Sequence, residues 1–331
     1  VEKVGLTTTI PVEVLFAAGI KPIDLNNIFV VSKMGKEYIE KAEIDGFPRN
    51  LCSWIKGLYS VALENGINNV VGVVEGDCSN TGALLEVWKM KGINIYPFAF
   101  PQNRDIKILK REIDNLMKVF NVSLDEVDKI KRGLHKIRKR VEYLDELTWK
   151  YNKASGFENH LWHVSCSDFN GDYTKFSIDL EKKIKEIENR NPKIDEIRLG
   201  YIGVPPIFTD IYSIIEAFGG RVVYNEVQRA FSMTGFDIDD SVYHMYLNFS
   251  YPYGINFRLK DIKEQIKLRK LDGIIHYVQA FCYRGIEDII VKHELDIPVL
   301  TIEGDLPGKV DARTRLRIES FIDMLKDNIL L

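Results

Sequence analysis

An apolar run that stops on a cysteine constrains this chain more than any other feature in it. Val70 to Asn80 reads VVGVVEGDCSN: four valines in the first five positions, then Glu75, Gly76 and Asp77 carry Cys78 to where a buried strand ends. The arrangement returns late in the chain, where Gly273 to Phe281 (GIIHYVQAF) ends on Cys282 and Tyr283, Arg284 and Gly285 break the run. In open α/β sheets ligands sit in the crevice at the carboxyl ends of the strands. Both thiols therefore occupy an address that is functional more often than an average position.

The segments between them follow an α/β grammar. Leu6 to Pro11 reads as a short strand, and Val12 to Ala18 as a helix closed by Gly19. Ile28 to Ser32 is another short apolar run. Leu51, Ile55, Leu58, Tyr59 and Ala62 recur at helical spacing up to Gly66, which puts Cys52 in a first turn. There the free N–H groups and the partial positive charge of a helix start favour thiolate. A helix over 82–90 and a strand over 93–98 complete a β-α-β-α-β series, which predicts a parallel, twisted sheet covered by helices.

Two long helices follow, over 105–120 and from Ser123 to about Tyr151. Ser123 and Glu126 form a capping box, and Leu134, Ile137, Val141 and Leu144 an apolar stripe. The basic run Lys129 to Arg140 reads as a solvated face. The stretch 155–179 reads as irregular and 180–189 as a charged helix. A second series then runs through strands at 197–204, 221–224, 273–281 and 299–303, with helices at 208–218, 259–271, 286–293 and from Asp311. The expected organisation is an N-terminal α/β lobe over 1–104, a helical and irregular connection over 105–192, and a C-terminal α/β lobe over 193–331.

Composition narrows the function. At 331 residues and 45% hydrophobic, the chain is long enough for two cored lobes. A formal charge of −3 and a pI near 6.2 make no electrostatic demand for nucleic acid or an anionic membrane, and neither is expected as a partner. No apolar run approaches the ~20 residues of a membrane span, and the opening VEKVGLTTTIPVEV lacks a basic segment followed by an apolar one. A cytoplasmic protein is expected. Four cysteines are too few and too scattered for a disulfide framework, which leaves core packing, metal binding or thiol chemistry.

The usual nucleotide loops are absent, because Gly200 and Gly203 run into Pro205 and Pro206, which lack the N–H groups of a phosphate cradle. His160 and His163 could share a helical face, although two histidines in an aromatic segment more often serve structure. A single reduced cysteine is more often a small buried hydrophobe than a ligand. Cys52, Cys78 and Cys282 gain weight together, because each falls at a helix start or a strand's carboxyl end. Three thiolates at a junction of two lobes suit an iron–sulfur cube with one iron left open. Cys166, in VSCSDFNGD, stands apart from the set.

In order and spacing, IPVEVLFAAGIKPIDL, FPRNLCSWIKG, EGDCSNTGALLEVW, DGIIHYVQAFC, IPVLTIEGD and TRLRIESF resemble the iron–sulfur subunits of 2-hydroxyacyl-CoA dehydratases and benzoyl-CoA reductases. The resemblance covers nearly the whole chain. It implies two Rossmann-like lobes joined by long helices, with a [4Fe-4S] cluster at the interlobe cleft held by Cys52, Cys78 and Cys282. It also implies a separate ATP-hydrolysing iron–sulfur activator that donates a low-potential electron, and an acyl-CoA substrate whose C–H is acidified by reduction so that water can leave. A homodimer or a pairing with a paralogous subunit is expected. Near the site, Glu13 and Glu75 are candidate acid or hydrogen-bonding groups, with structural capping as the alternative. Arg49 is a candidate partner for an anionic substrate. Two other readings stay open: cluster-dependent reduction of a small molecule that is not a CoA ester, and a metal-free two-lobed protein that closes on a ligand.

Overall fold

The computed structural model describes residues 2–194 and 196–330. The first part of the chain runs β1 (Lys3–Leu6), α1 (Val12–Ala17), β2 (Lys21–Asp24), α2 (Leu25–Val31), α3 (Gly35–Ile44), α4 (Ser53–Glu64), β3 (Asn69–Glu75), α5 (Thr81–Met90) and β4 (Asn94–Ala99). Four helices follow: α6 (Ile106–Val119), α7 (Leu124–Trp149), α8 (Gly156–Val164) and α9 (Tyr173–Glu188). The last part runs β5 (Ile197–Gly203), α10 (Ile211–Ala217), β6 (Gly220–Asn225), α11 (Glu226–Phe231), α12 (Val242–Asn248), α13 (Ile255–Arg269), β7 (Gly273–Gln279), α14 (Glu287–Glu294), β8 (Val299–Gly304) and α15 (Ala312–Leu330).

The strands form two four-stranded sheets, ordered β2-β1-β3-β4 and β6-β5-β7-β8, with every pairing parallel. The two lobes thus share one topology. In each, the chain winds outward, returns to the other side of its first strand and continues, so the strand order reverses between β1 and β3 and between β5 and β7. That reversal opens the crevice in which α/β sheets bind ligands. The central strands explain the order: β7 is buried along its whole length and β3 over Val70–Val73, as strands covered on both faces must be.

Two features of the first lobe differ from the sequence reading. The first strand is Lys3–Leu6 rather than 6–11, and β2 (KPID) carries too little apolar signal to be read as a strand. The run from Ile28 belongs to helix α2, capped by Asp24, whose carboxylate accepts the Asn26 N–H at 2.9 Å. In the connection, α8 replaces the expected irregular stretch. Ser155 and Glu158 form a capping box at its start, the same device that opens α7 at Ser123 and Glu126.

Helix α7, about 39 Å long at 1.5 Å per residue, is the spine. Leu134, Ile137, Val141 and Leu144 are buried along it, as the spacing predicts. Two buried ion pairs fasten it to both lobes. Arg138 donates to Glu13 of α1 at 2.6 Å, and Asp145 accepts from Arg269 of α13 at 2.5 and 2.8 Å. Apolar cores run across the lobes: Leu58 and Trp88 share one cluster with Tyr201 and Tyr277, and Phe98 and Phe100 share another with Tyr246 and Phe249. No helix among the described residues is long and apolar enough to cross a membrane.

Candidate functional site

The carboxyl ends of the two sheets converge on one cleft. Thr7 and Thr8 follow β1, Asp24 ends β2, Asp77 and Cys78 follow β3, Val204 to Pro206 follow β5, and Gln279 and Cys282 follow β7; all line a cavity of about 110 Å³. Cys52, the residue before α4, completes the set, so the three cysteines from distant parts of the chain line one wall system. Cys166 does not. It is buried beside α7 among Phe169 and Phe176, and its thiol donates to the Trp162 carbonyl at 3.3 Å.

Local structure aims each thiol. Between Val73 and Glu75 the β3–β4 register slips, the kind of irregularity that redirects side chains at a strand end. Gly76 then turns with φ near +90°, where a Cβ would fall 2.7 Å from Phe100 and 2.9 Å from Pro252. The Cys78 loop is gripped from the other lobe: the Tyr251 hydroxyl donates to Asp77 Oδ1 at 2.8 Å and the Tyr283 hydroxyl to the Asp77 carbonyl at 3.2 Å. Arg284 donates to the Tyr251 carbonyl at 2.8 Å and lies over its ring. The Cys282 turn follows Phe281, whose positive φ is uncommon for a non-glycine residue. Beneath it, Arg258 bridges Glu226 at 2.6 and 2.8 Å and Glu287 at 2.6 Å, while Glu226 also accepts the Gly203 N–H at 2.9 Å. One buried charge network therefore sets the loops after β5 and β7 together.

Burial governs the thiols. It pushes Cys52 up to about 11, even though the Trp54 and Ile55 N–H groups at the helix start favour thiolate. The expectation of an acidified Cys52 is corrected on this point, because desolvation outweighs the helix terminus. Cys78 rises to about 12 through burial and the neighbouring Asp77 carboxyl, and Cys282 rises through burial. Each of Cys52 and Cys78 also raises through the charge of other cysteines in the set, as thiols near one another do.

The expected carboxylates fall elsewhere. Glu13 is fully buried, paired with Arg138 and accepting the Tyr246 hydroxyl at 2.8 Å, and it does not line the cleft. Glu75 points outward and accepts the Gln102 N–H at 2.9 Å. Asp77, two residues on from Glu75, does line the cleft, as Asp24 does, and burial pushes it up to about 6. Arg49 is exposed and 4.0 Å from Glu43. His160 lines the cleft as a neutral imidazole, its pKa pushed down to about 3 by burial, with Gln228 at 3.0 Å from Nδ1. His163 is buried beside Ser232, 2.7 Å away, and does not reach the cleft.

A model of the 2-hydroxyglutaryl-CoA dehydratase D-component family matches residues 7–325. The chain belongs to that family. No curated protein matches it. The family gives the two-lobed fold its context: this is a 2-hydroxyacyl-CoA dehydratase-type component.

The donor set bears on what the cleft of this D-component relative can hold. Among the described residues, no three His, Cys, Asp or Glu side chains converge closely enough for a single metal ion. A cube keeps its ligand sulfurs farther apart than one ion does, and three cysteines around a cavity are a donor set for it. Cys52, Cys78 and Cys282 are the thiols that line the cleft, and three thiols are the donor type such a cube takes.

Proposed function

We propose that the chain is the [4Fe-4S] component of a 2-hydroxyacyl-CoA dehydratase or a related ATP-activated reductase, with Cys52, Cys78 and Cys282 as the cluster ligands. The observation that carries this reading is the convergence of these three cysteines, and not Cys166, on one interlobe cleft. The bound cluster would supply one-electron chemistry and a Lewis-acidic iron. The chain's own residues do the rest. Val204, Pro206, Leu58 and Phe231 give the cleft apolar walls that limit water, and Tyr251 and Tyr283 hold the Cys78 loop shut against the second lobe. Thr7, Thr8, Asn26, Asn27 and Gln279 offer neutral hydrogen-bonding groups for orienting a substrate.

The electron comes in this reading from a separate ATP-hydrolysing iron–sulfur activator. Phe281, Ile286 and Ile289, close in sequence to Cys282, are exposed apolar side chains that a protein partner approaching the cysteines would cover. A homodimer or a paralogous subunit is the expected assembly, and the cytoplasm the expected compartment.

A second reading, reduction of a small molecule that is not a CoA ester, draws on the charge of the walls. Among the described residues, the cleft and the wider cavity next to it are lined by two cationic side chains, Lys21 and Arg284, few for the phosphates of CoA. Anaerobic reconstitution with iron and sulfide tests the shared core of both readings: the expected result is a brown protein with cluster-equivalent iron, and trace iron ends them. Turnover of 2-hydroxyacyl-CoA esters against the free acids, with activator and ATP present, then separates the two.

A further inference from the structure

Where the cysteine cleft opens into a second, wider cavity, one imidazole stands in both. That cavity, about 540 Å³, has apolar walls in Ile23, Trp162 and Phe208 and shares His160 with the cleft. His160 is 8% exposed and packs against two aromatic rings, Phe157 stacked with its centroid 6.1 Å away and Tyr212 tilted at 5.2 Å. This packing holds the plane of the imidazole. Its Nδ1 meets the Gln228 amide at 3.0 Å. Its Nε2 is bonded to no group among the described residues and is not sealed inside the protein.

Which nitrogen carries the proton is decided by a hydrogen-bond chain that begins on the spine. Asp145, ionised by its pair with Arg269, can only accept, so the Asn159 amide turns Nδ2 toward it at 2.8 Å. Asn159 Oδ1 is left to accept Asn225 Nδ2 at 2.8 Å, and Asn225 Nδ2 also donates to the Gly156 carbonyl at 3.2 Å. Asn225 Oδ1 accepts the Tyr212 hydroxyl at 2.7 Å, which commits the one proton of that hydroxyl. The Tyr212 oxygen can therefore only accept, and Gln228 presents Nε2 to it at 3.4 Å and to His160 Nδ1 at 3.0 Å. Turning the Gln228 amide over would set its oxygen against the Tyr212 oxygen. His160 Nδ1 is thus an acceptor, and the ring proton sits on Nε2. Burial pushes the ring down to about 3, so this N–H belongs to a neutral imidazole. The arrangement leaves Gln228 Oε1 buried without a partner, an exception of the kind that functional sites retain.

We propose that His160 binds the carbonyl oxygen of an acyl thioester through its Nε2–H and stabilises the negative charge that this oxygen gains during the reaction. This rests on the dehydratase reading above. One electron supplied by the activator adds to the carbonyl; the charge gathers on oxygen and the carbon keeps the unpaired spin. The hydrogen bond from Nε2–H strengthens as that charge grows, and no proton moves along it. The donor is in place before the electron arrives, because the protein sets both its plane and its tautomer.

The first measurement is nitrogen-15 NMR of the full-length protein labelled at histidine, without activator or ATP, with His160 assigned by its loss in His160→Gln. A neutral ring protonated on Nε2 is expected at pH 7; a proton on Nδ1 alone, or an imidazolium, overturns the proposal. The second is the infrared carbonyl stretch of 2-hydroxyglutaryl-CoA labelled with carbon-13 at the thioester. Binding should lower its frequency in wild type and in His160→Gln, whose amide still donates, but not in His160→Met. A bound ester with an unshifted stretch in wild type, or with the same shift in His160→Met, overturns the proposal. The wild-type arms decide even where a variant fails to fold. In turnover with reconstituted protein, activator and ATP, His160→Met should lower kcat by roughly 10²-fold, with KM changed far less and iron content unchanged, and His160→Gln should recover most of the loss. Wild-type kcat in His160→Met overturns the proposal. Tautomer and carbonyl shift are read without iron or turnover, so a protein that takes up no iron ends the cluster reading and leaves the His160 contact to stand or fall by these two. An ester that does not bind at all ends the dehydratase reading and the proposal with it.

Discussion

The spine and the cleft bury acidic groups equally well and treat them in opposite ways. On α7, Asp145 receives both arms of Arg269 and the Asn159 amide, and the Arg269 charge holds its carboxyl far below the usual carboxylate range against the pull of burial. At the cleft, Asp24 and Asp168 receive backbone and amide N–H groups but no cation, and burial pushes them up. The three thiols of the cleft are raised in the same way. Among the described residues, the scaffold supplies a counter-charge to Asp145, where the spine is fixed to the second lobe, and none to Asp24 or Asp168.

The comparison can be broken at its strongest points first. Replacing Cys52, Cys78 or Cys282 with alanine should abolish iron uptake on reconstitution, whereas Cys166→Ala should retain it at a cost of about 1 kcal/mol in urea unfolding; iron loss in the Cys166 variant would erase the distinction between cleft and core. Arg269→Ala should cost roughly 3–5 kcal/mol, since it leaves Asp145 buried and unpaired. Asp24→Asn should cost far less, and equal losses in the two would remove the contrast.

The pH dependence sharpens it. Asp145 is depressed in the fold, so its contribution is present above the ordinary carboxylate range and is lost as pH falls through and below it. Asp168 is raised to about 7, so the folded protein binds more protons than the unfolded chain between about pH 4 and 7, and stability declines as pH rises across that window. The difference in unfolding free energy between wild type and Asp168→Asn, followed from pH 4 to 8, should therefore shift against the wild type as pH rises. A flat difference would mean that burial does not raise the Asp168 carboxyl in the fold. At the small end, Ser123→Ala at the far tip of the spine should cost about 1 kcal/mol, and should leave iron uptake alone.

How much of this was legible in the sequence follows from where each signal lies. The strands ending at Cys78 and Cys282 announce themselves because burial on both faces makes them continuous apolar runs. Strand β2 does not, since four residues holding Lys21, Pro22 and Asp24 look like a loop until β1 pairs with them. Helix α8 had a readable start in Ser155 and Glu158, masked by the aromatic and small residues after it. Glu75 is a candidate through its place beside Cys78, with structural capping as the alternative; past the register slip after Val73 it is exposed and accepts the Gln102 N–H, while Asp77 lines the cleft. The Asp24–Asp168 pair has no local signature at all. Its members are 144 residues apart and meet only when β2 packs on the turn that follows α8.

The interlobe cleft also has a consequence for biosynthesis. Its walls draw on Cys52 and Cys78 near the beginning of the chain and on Cys282 near the end. A nascent polypeptide released from the ribosome as far as the spine presents two of these sulfurs and lacks the third. Maturation of the cleft is thus a late event, coupled to completion of the second sheet, and a fragment comprising the first sheet alone would be an orphan with an open, half-built pocket.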